Sequence, residues 1–98
     1  MRLLIVYDIA ISELGAKRLT KTAKICAKYC TRVQDSVFEG ILDESEFTKL
    51  QNDLKKNIDE NFDSVRIYRL SDSSGVNNPI IMGQKTKTES FSNDAFIL

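Results

Sequence analysis

The sequence contains no histidine and no tryptophan, one proline and two cysteines among its 98 residues. Without histidine, the usual general base near neutral pH is missing. Cys26 and Cys30 also lack the further Cys or His ligands that a structural zinc site requires. The pair reads as two reduced core cysteines of a cytosolic chain, with a functional thiol pair as the alternative. Neither charge is in excess: 14 Lys and Arg balance 14 Asp and Glu. The chain as a whole is therefore no general polyanion binder, and only local charge placement can favour one. Long apolar runs are missing too, which excludes a membrane-spanning helix. One Arg followed by a short apolar run, with no small-residue cleavage site, makes a poor signal peptide. A cytoplasmic location without a membrane partner is expected.

What is there fits one domain, set at residues 1–83, followed by a tail at 84–98. Residues 2–8 read as a strand, with Leu3, Ile5 and Tyr7 on one face and Leu4, Val6 and Asp8 on the other. Residues 12–30 read as a helix with Ser12 as N-cap. Leu19, Ala23, Cys26 and Cys30 give its apolar stripe. "TRVQDSVFEGIL" reads as a hairpin broken at Asp35 and Ser36. A second helix follows, with Asp43 and Glu46 at capping-box spacing and Phe47, Leu50, Leu54 and Ile58 on its apolar face. "SVRIYRL" is another strand, "SDSSGVNN" a loop, and "PIIMG" a short strand whose proline suits an edge. "QKTKTESFSND" is polar, and the closing "AFIL" is apolar enough to dock on something. The fold class is α+β: a ferredoxin-like βαββαβ arrangement with both helices on one face of an antiparallel sheet. The first strand is apolar on both faces, so the helix-free face needs a cover. A second copy is the economical one for so small a domain.

Two features carry chemistry. Lys17, Lys21, Lys24 and Lys28 repeat at helical spacing, offset by two residues from the apolar stripe. That offset is about 200° around a helix and places them opposite it. Arg18 widens the row and Arg32 follows the helix. The row is either a solvated face or a ridge for phosphates. Asp8 ends the apolar strand and is either a turn residue or half of a metal site. One carboxylate holds Mg²⁺ poorly, but two related by a dimer axis would share one ion.

"VYDI" at 6–9, Arg18 with Lys21 and Lys24, "RVQDSVFEG" at 32–40 and "DSVRIYRL" at 63–70 together resemble the CRISPR-associated protein two family. The likeness covers about residues 2 to 83 and implies a ferredoxin-like homodimer in which a C-terminal strand pairs with the partner subunit's sheet. "PIIMG" or "AFIL" would supply that strand here. It further implies a CRISPR adaptation protein: a central dimer for the partner integrase, CRISPR-associated protein one, that captures new spacers. Members are described as metal-dependent endonucleases on single-stranded RNA or double-stranded DNA. By resemblance, Asp8 is the catalytic and metal-binding aspartate, with one Mg²⁺ or Mn²⁺ shared between the two Asp8 of a dimer. Tyr7, Arg18, Arg32 and Phe38 match positions linked to activity or nucleic-acid contact.

Within this reading the chain is either a metal-dependent nuclease or a non-catalytic adaptor, and both need the same aspartate. A sequence-reading RNA-binding module would carry an aromatic motif that "SVFEGIL" lacks. A small-molecule regulatory dimer would leave the lysine row unexplained.

Overall fold

In the computed structural model, which describes residues 1–71, 75–76 and 79–84, the first strand sorts its side chains as alternation requires. β1 (Arg2–Asp8) sends Leu3, Ile5 and Tyr7 into the main core. α1 (Glu13–Tyr29) starts at Ser12, whose side chain accepts from the Gly15 amide. That bond satisfies one of the helix's unpaired N-terminal donors. β2 (Thr31–Gln34) and β3 (Val37–Ile41) form the expected hairpin around Asp35 and Ser36. α2 (Glu44–Asn57) carries a complete capping box. The Asp43 carboxylate accepts from the Glu46 amide at 2.8 Å, and the Glu46 carboxylate accepts from the Asp43 amide at 3.0 Å. β4 (Ser64–Ser71) follows, then β5 (Gly75–Val76) and β6 (Ile80–Gly83).

The sheet order is β2-β3-β1-β4-β5, with β6 also on β4, and every pairing is antiparallel. This is the ferredoxin-like α+β architecture. Both helices cover the face that carries Leu3, Ile5, Tyr7, Phe38, Val65 and Ile67, against Ile25, Cys26, Phe47, Leu50 and Leu54. Among the described residues no helix is long and apolar enough to cross a membrane.

Two expectations need correction. Leu19 does not belong to the buried stripe of α1: it is 43% exposed, and the helix buries Thr22 and Ile25 beside the expected Cys26. The polar Thr22 can sit inside because its hydroxyl accepts from the Asn57 amide at 2.8 Å. "SDSSGVNN" is not all loop, since Gly75 and Val76 pair with Ser71 and Leu70. The "PIIMG" strand, one of the two candidates for the partner's sheet, lies on its own β4, with Ile80 opposite Ile67 and Gly83 opposite Ser64. The short return after β4 places β5 and then β6 along the same edge, and neighbouring strands joined by short connections pair readily. The pairing shifts by one residue between β5 and β6, near Pro79, which has no N–H to offer a ladder. The "AFIL" end lies outside the described residues.

Candidate metal and nucleic-acid site

Asp8 is the last residue of a central strand. It lies opposite Ser64, the first residue of β4. Paired residues of an antiparallel ladder share a face. Asp8 and Ser64 therefore lie on the helix-free face, with Val6, Leu4, Arg66 and Tyr68 beyond them. Asp8 is half-buried at the rim of that face. The Ser64 hydroxyl is buried with no hydrogen-bond partner among the described residues. A polar atom left in this way is costly. It is an oxygen on the residue opposite the Asp8 carboxylate, and hard cations take oxygen donors. The donor chemistry thus fits Mg²⁺ or Mn²⁺. The number of donors does not: no group of three or more metal-ligating side chains occurs among the described residues. Asp8 alone does not make a cation site.

The loop after Asp8 is held from behind. Asp63, fully buried, accepts from the Ala10 amide at 2.9 Å through Oδ1 and from the Asp59 amide at 2.8 Å through Oδ2. Arg18 donates to the same carboxylate from Nε at 2.7 Å and from Nη2 at 3.3 Å. Burial works against the charge on Asp63, and the Arg18 bond with the two amides outweighs it, so the carboxyl titrates below its ordinary value. The Asn57 amide then ties the Arg18 carbonyl to the Thr22 hydroxyl, locking α1 to the end of α2. The sequence reading missed Asp63, Asn57 and Ser64. One signal was available: in this topology the end of the first strand meets the start of the fourth, so "DS" before "VRIYRL" must adjoin Asp8.

Apart from Asp8, the expected site residues fall into three places. Lys17, Lys21 and Lys24 are exposed along one side of α1, with Lys28 in its last turn. Arg18 leaves that row and turns to Asp63, its side chain only 17% exposed. Tyr7, Arg32 and Phe38 form a third group. The Tyr7 and Phe38 rings stack at 6.1 Å, the Arg32 guanidinium lies 5.1 Å from the Phe38 ring centroid, and Arg32 Nη2 donates to the Tyr7 hydroxyl at 3.5 Å. That hydroxyl donates to the Asp35 carbonyl at 3.1 Å and braces the β2–β3 turn. Burial pushes the Tyr7 hydroxyl above its ordinary value, against the opposing Arg32 bond. Both rings are buried on the helix-covered face. The structure therefore does not bring them to Asp8, which lies across the sheet. Cys26 is buried and its thiol is pushed up to about 12, by burial first and then by Cys30. The functional-thiol alternative loses ground, because the thiolate is the reactive form.

Comparison with known proteins fits this fold. The family model for CRISPR associated protein Cas2 matches residues 1–77. The CRISPR-associated endonuclease Cas2 of Halalkalibacterium halodurans is 50% identical over 74 residues, covering 74% of this chain and 77% of that protein. The CRISPR-associated endoribonuclease Cas2 of Pyrococcus furiosus is 43% identical over 65 residues, covering 66% of this chain and 76% of that one. Among solved structures, Streptococcus pyogenes Cas2 at pH 6.5 superposes with a TM-score of 0.69 at 40% identity, over 74% of this chain and 89% of its own. A hypothetical protein from Thermus thermophilus gives 0.64 at 29% identity, over 81% and 96%. With a matching family model over most of its length, relatives of this identity and the same fold, the chain belongs to the Cas2 family of CRISPR-associated proteins.

Proposed function

We propose that the protein works as a homodimer in CRISPR adaptation, binding nucleic acid and seating the partner integrase, CRISPR-associated protein one. We further propose that a pair of Asp8 carboxylates gives it metal-dependent endonuclease activity on single-stranded RNA or double-stranded DNA. The observation that carries this reading is the place of Asp8: the end of a central strand, on the face that no helix covers, opposite the unpartnered Ser64 hydroxyl. Two copies packed by that face would bring their Asp8 residues to one axis and complete the half site. Names borne by the relatives, endonuclease and endoribonuclease, support the same chemistry.

Mg²⁺ or Mn²⁺ bound there would supply Lewis-acid charge at a phosphodiester, and no histidine is present to supply a base. The chain's own part is to hold and to aim. Asp8 from each subunit would ligate the ion, with Ser64 opposite it on the next strand. Lys17, Lys21 and Lys24, exposed in one row, would take backbone phosphates without reading sequence. Arg32 would reach phosphate from the hairpin while Tyr7 and Phe38 hold its guanidinium in place.

The test is a nuclease assay on duplex DNA and single-stranded RNA, with the protein beside Asp8→Ala, in Mg²⁺, in Mn²⁺ and in chelator. Metal-dependent cleavage lost in the variant is the expected result. Cleavage unchanged in Asp8→Ala would overturn the nuclease reading. Salt-sensitive DNA binding with no cleavage by either protein would leave the adaptor role alone.

A further inference from the structure

We propose that Arg18 and Asp63 form a positioning clamp for the loop that follows Asp8, and that Arg18 acts through Asp63 rather than on phosphate. The link to Asp8 rests on the metal-site reading above; the clamp itself does not.

The neighbours of Asp63 carry the inference. The Ala10 amide, two residues beyond Asp8, donates to Asp63 Oδ1. Next in the chain after Asp63 is Ser64, the ladder partner of Asp8. The same carboxylate thus fixes the backbone after Asp8 and adjoins the residue opposite it. The Asp63 amide donates to the Asp59 carbonyl at 2.7 Å, and the Asp63 carbonyl accepts from the Gln84 amide at 3.2 Å, so the clamp is itself fixed at both ends. Gly83 lies so close to it that a Cβ there would stand 2.0 Å from the Asp63 carbonyl oxygen. Arg18 spends Nε and Nη2 on the carboxylate, and its backbone carbonyl is held by Asn57. A guanidinium committed in this way differs from the exposed Lys17, Lys21 and Lys24 around it. Ligand geometry in a metal site depends on such outer contacts, and losing one typically weakens metal binding by about 10–100-fold.

Three readouts on the full-length protein test the clamp, using Asp63→Asn, Arg18→Gln, Lys21→Gln and Asp8→Ala. First, amide hydrogen exchange at Ala10 in Asp63→Asn should rise at least about tenfold more than at Ile5 in mid-strand, whose rise reports only the global loss of stability. Second, in DNA-duplex binding followed against salt, Lys21→Gln should shallow the log–log slope by about one, as for a lost phosphate contact. Arg18→Gln should leave that slope as it was. Third, Mn²⁺ affinity should fall about tenfold or more in Asp63→Asn, with circular dichroism unchanged. An Ala10 amide as protected as in the wild type would overturn the proposal, as would Arg18→Gln losing slope like Lys21→Gln. Should Asp63→Asn fail to fold, Arg18→Lys replaces it in the exchange and Mn²⁺ arms, because it keeps the charge but loses the fork. If Asp8→Ala binds Mn²⁺ like the wild type, the metal reading falls, and the exchange and slope results still decide the clamp.

Discussion

Replacing Asp63 by Asn is the most informative single change for stability, because it alters charge and acceptor number while keeping shape. The carboxylate takes four donations: two from Arg18 and one each from the Ala10 and Asp59 amides. An asparagine keeps one oxygen. Whichever way its amide turns, one backbone N–H then faces an NH₂ donor. An unsatisfied buried N–H costs about 1–3 kcal/mol, and a bond to an ionised acceptor loses about 1 kcal/mol when the acceptor becomes neutral. The expected loss at neutral pH is therefore about 3 kcal/mol, or a Tm lower by roughly 15 °C for a domain of this size. The pH dependence follows from the depressed carboxyl, whose ordinary value is 3.8. Its contribution is complete above that value and is lost as pH falls through the lower folded-state value. Urea unfolding of both proteins at about pH 7, 5, 3.5 and 2.5 measures the gap at each pH. We expect it level from about pH 7 to 5 and shrinking toward about pH 2.5. A gap under about 1 kcal/mol at neutral pH, or one undiminished in acid, would refute the reasoning.

Three further outcomes follow from the geometry. Gly83→Ala should destabilise the protein by more than about 1 kcal/mol, because φ there is 82° and a Cβ would strike the Asp63 carbonyl; unchanged urea unfolding would contradict this. A thiol reagent at about pH 8 should label half-buried Cys30 well before Cys26, whose thiol is pushed up to about 12; mass spectrometry of the peptides reads the order, and Cys26 labelled first would be the contrary result. Ile41→Glu places a charge on an exposed apolar residue of the helix-free face. If that face joins two copies, the dimer should weaken at least about tenfold by sedimentation equilibrium, since burying an unpaired charge is costly. An unaltered dimer would place the interface elsewhere.

The elements were legible where one local rule decided them. Alternation in β1 placed Leu3, Ile5 and Tyr7 in the core, and the Asp43–Glu46 spacing gave a capping box that the structure forms. Leu19 shows where periodicity alone goes astray. Hydrophobicity assigned it to the stripe, yet the buried face of α1 turns through Thr22, because Asn57 of α2 provides that hydroxyl with a partner. Such a partner, 35 residues away, leaves no local trace. Arg18 is the same case: its spacing fits the lysine row, and only the third dimension reveals Asp63. The edge position of β6 was open for a related reason. A short strand after a tight return carries no mark of which copy's sheet it joins.

Two aspartates sit at one end of the sheet, and their surroundings separate their roles. An ionised carboxylate offers about four acceptor sites. Those of Asp63 are taken by four donors, and its charge is matched by Arg18 inside the protein. It has no capacity left for a cation, which would have to displace Arg18 from a fully buried position. Asp8 stands half-buried at the rim of the helix-free face, opposite a hydroxyl with no hydrogen-bond partner among the described residues. The buried carboxylate is thus committed to holding the loop, and under the proposed function the ion-binding role falls to the one at the rim. This division also explains why an apolar strand ends in aspartate: the strand delivers Asp8 to the open face, and Asp63 keeps the chain after it from moving.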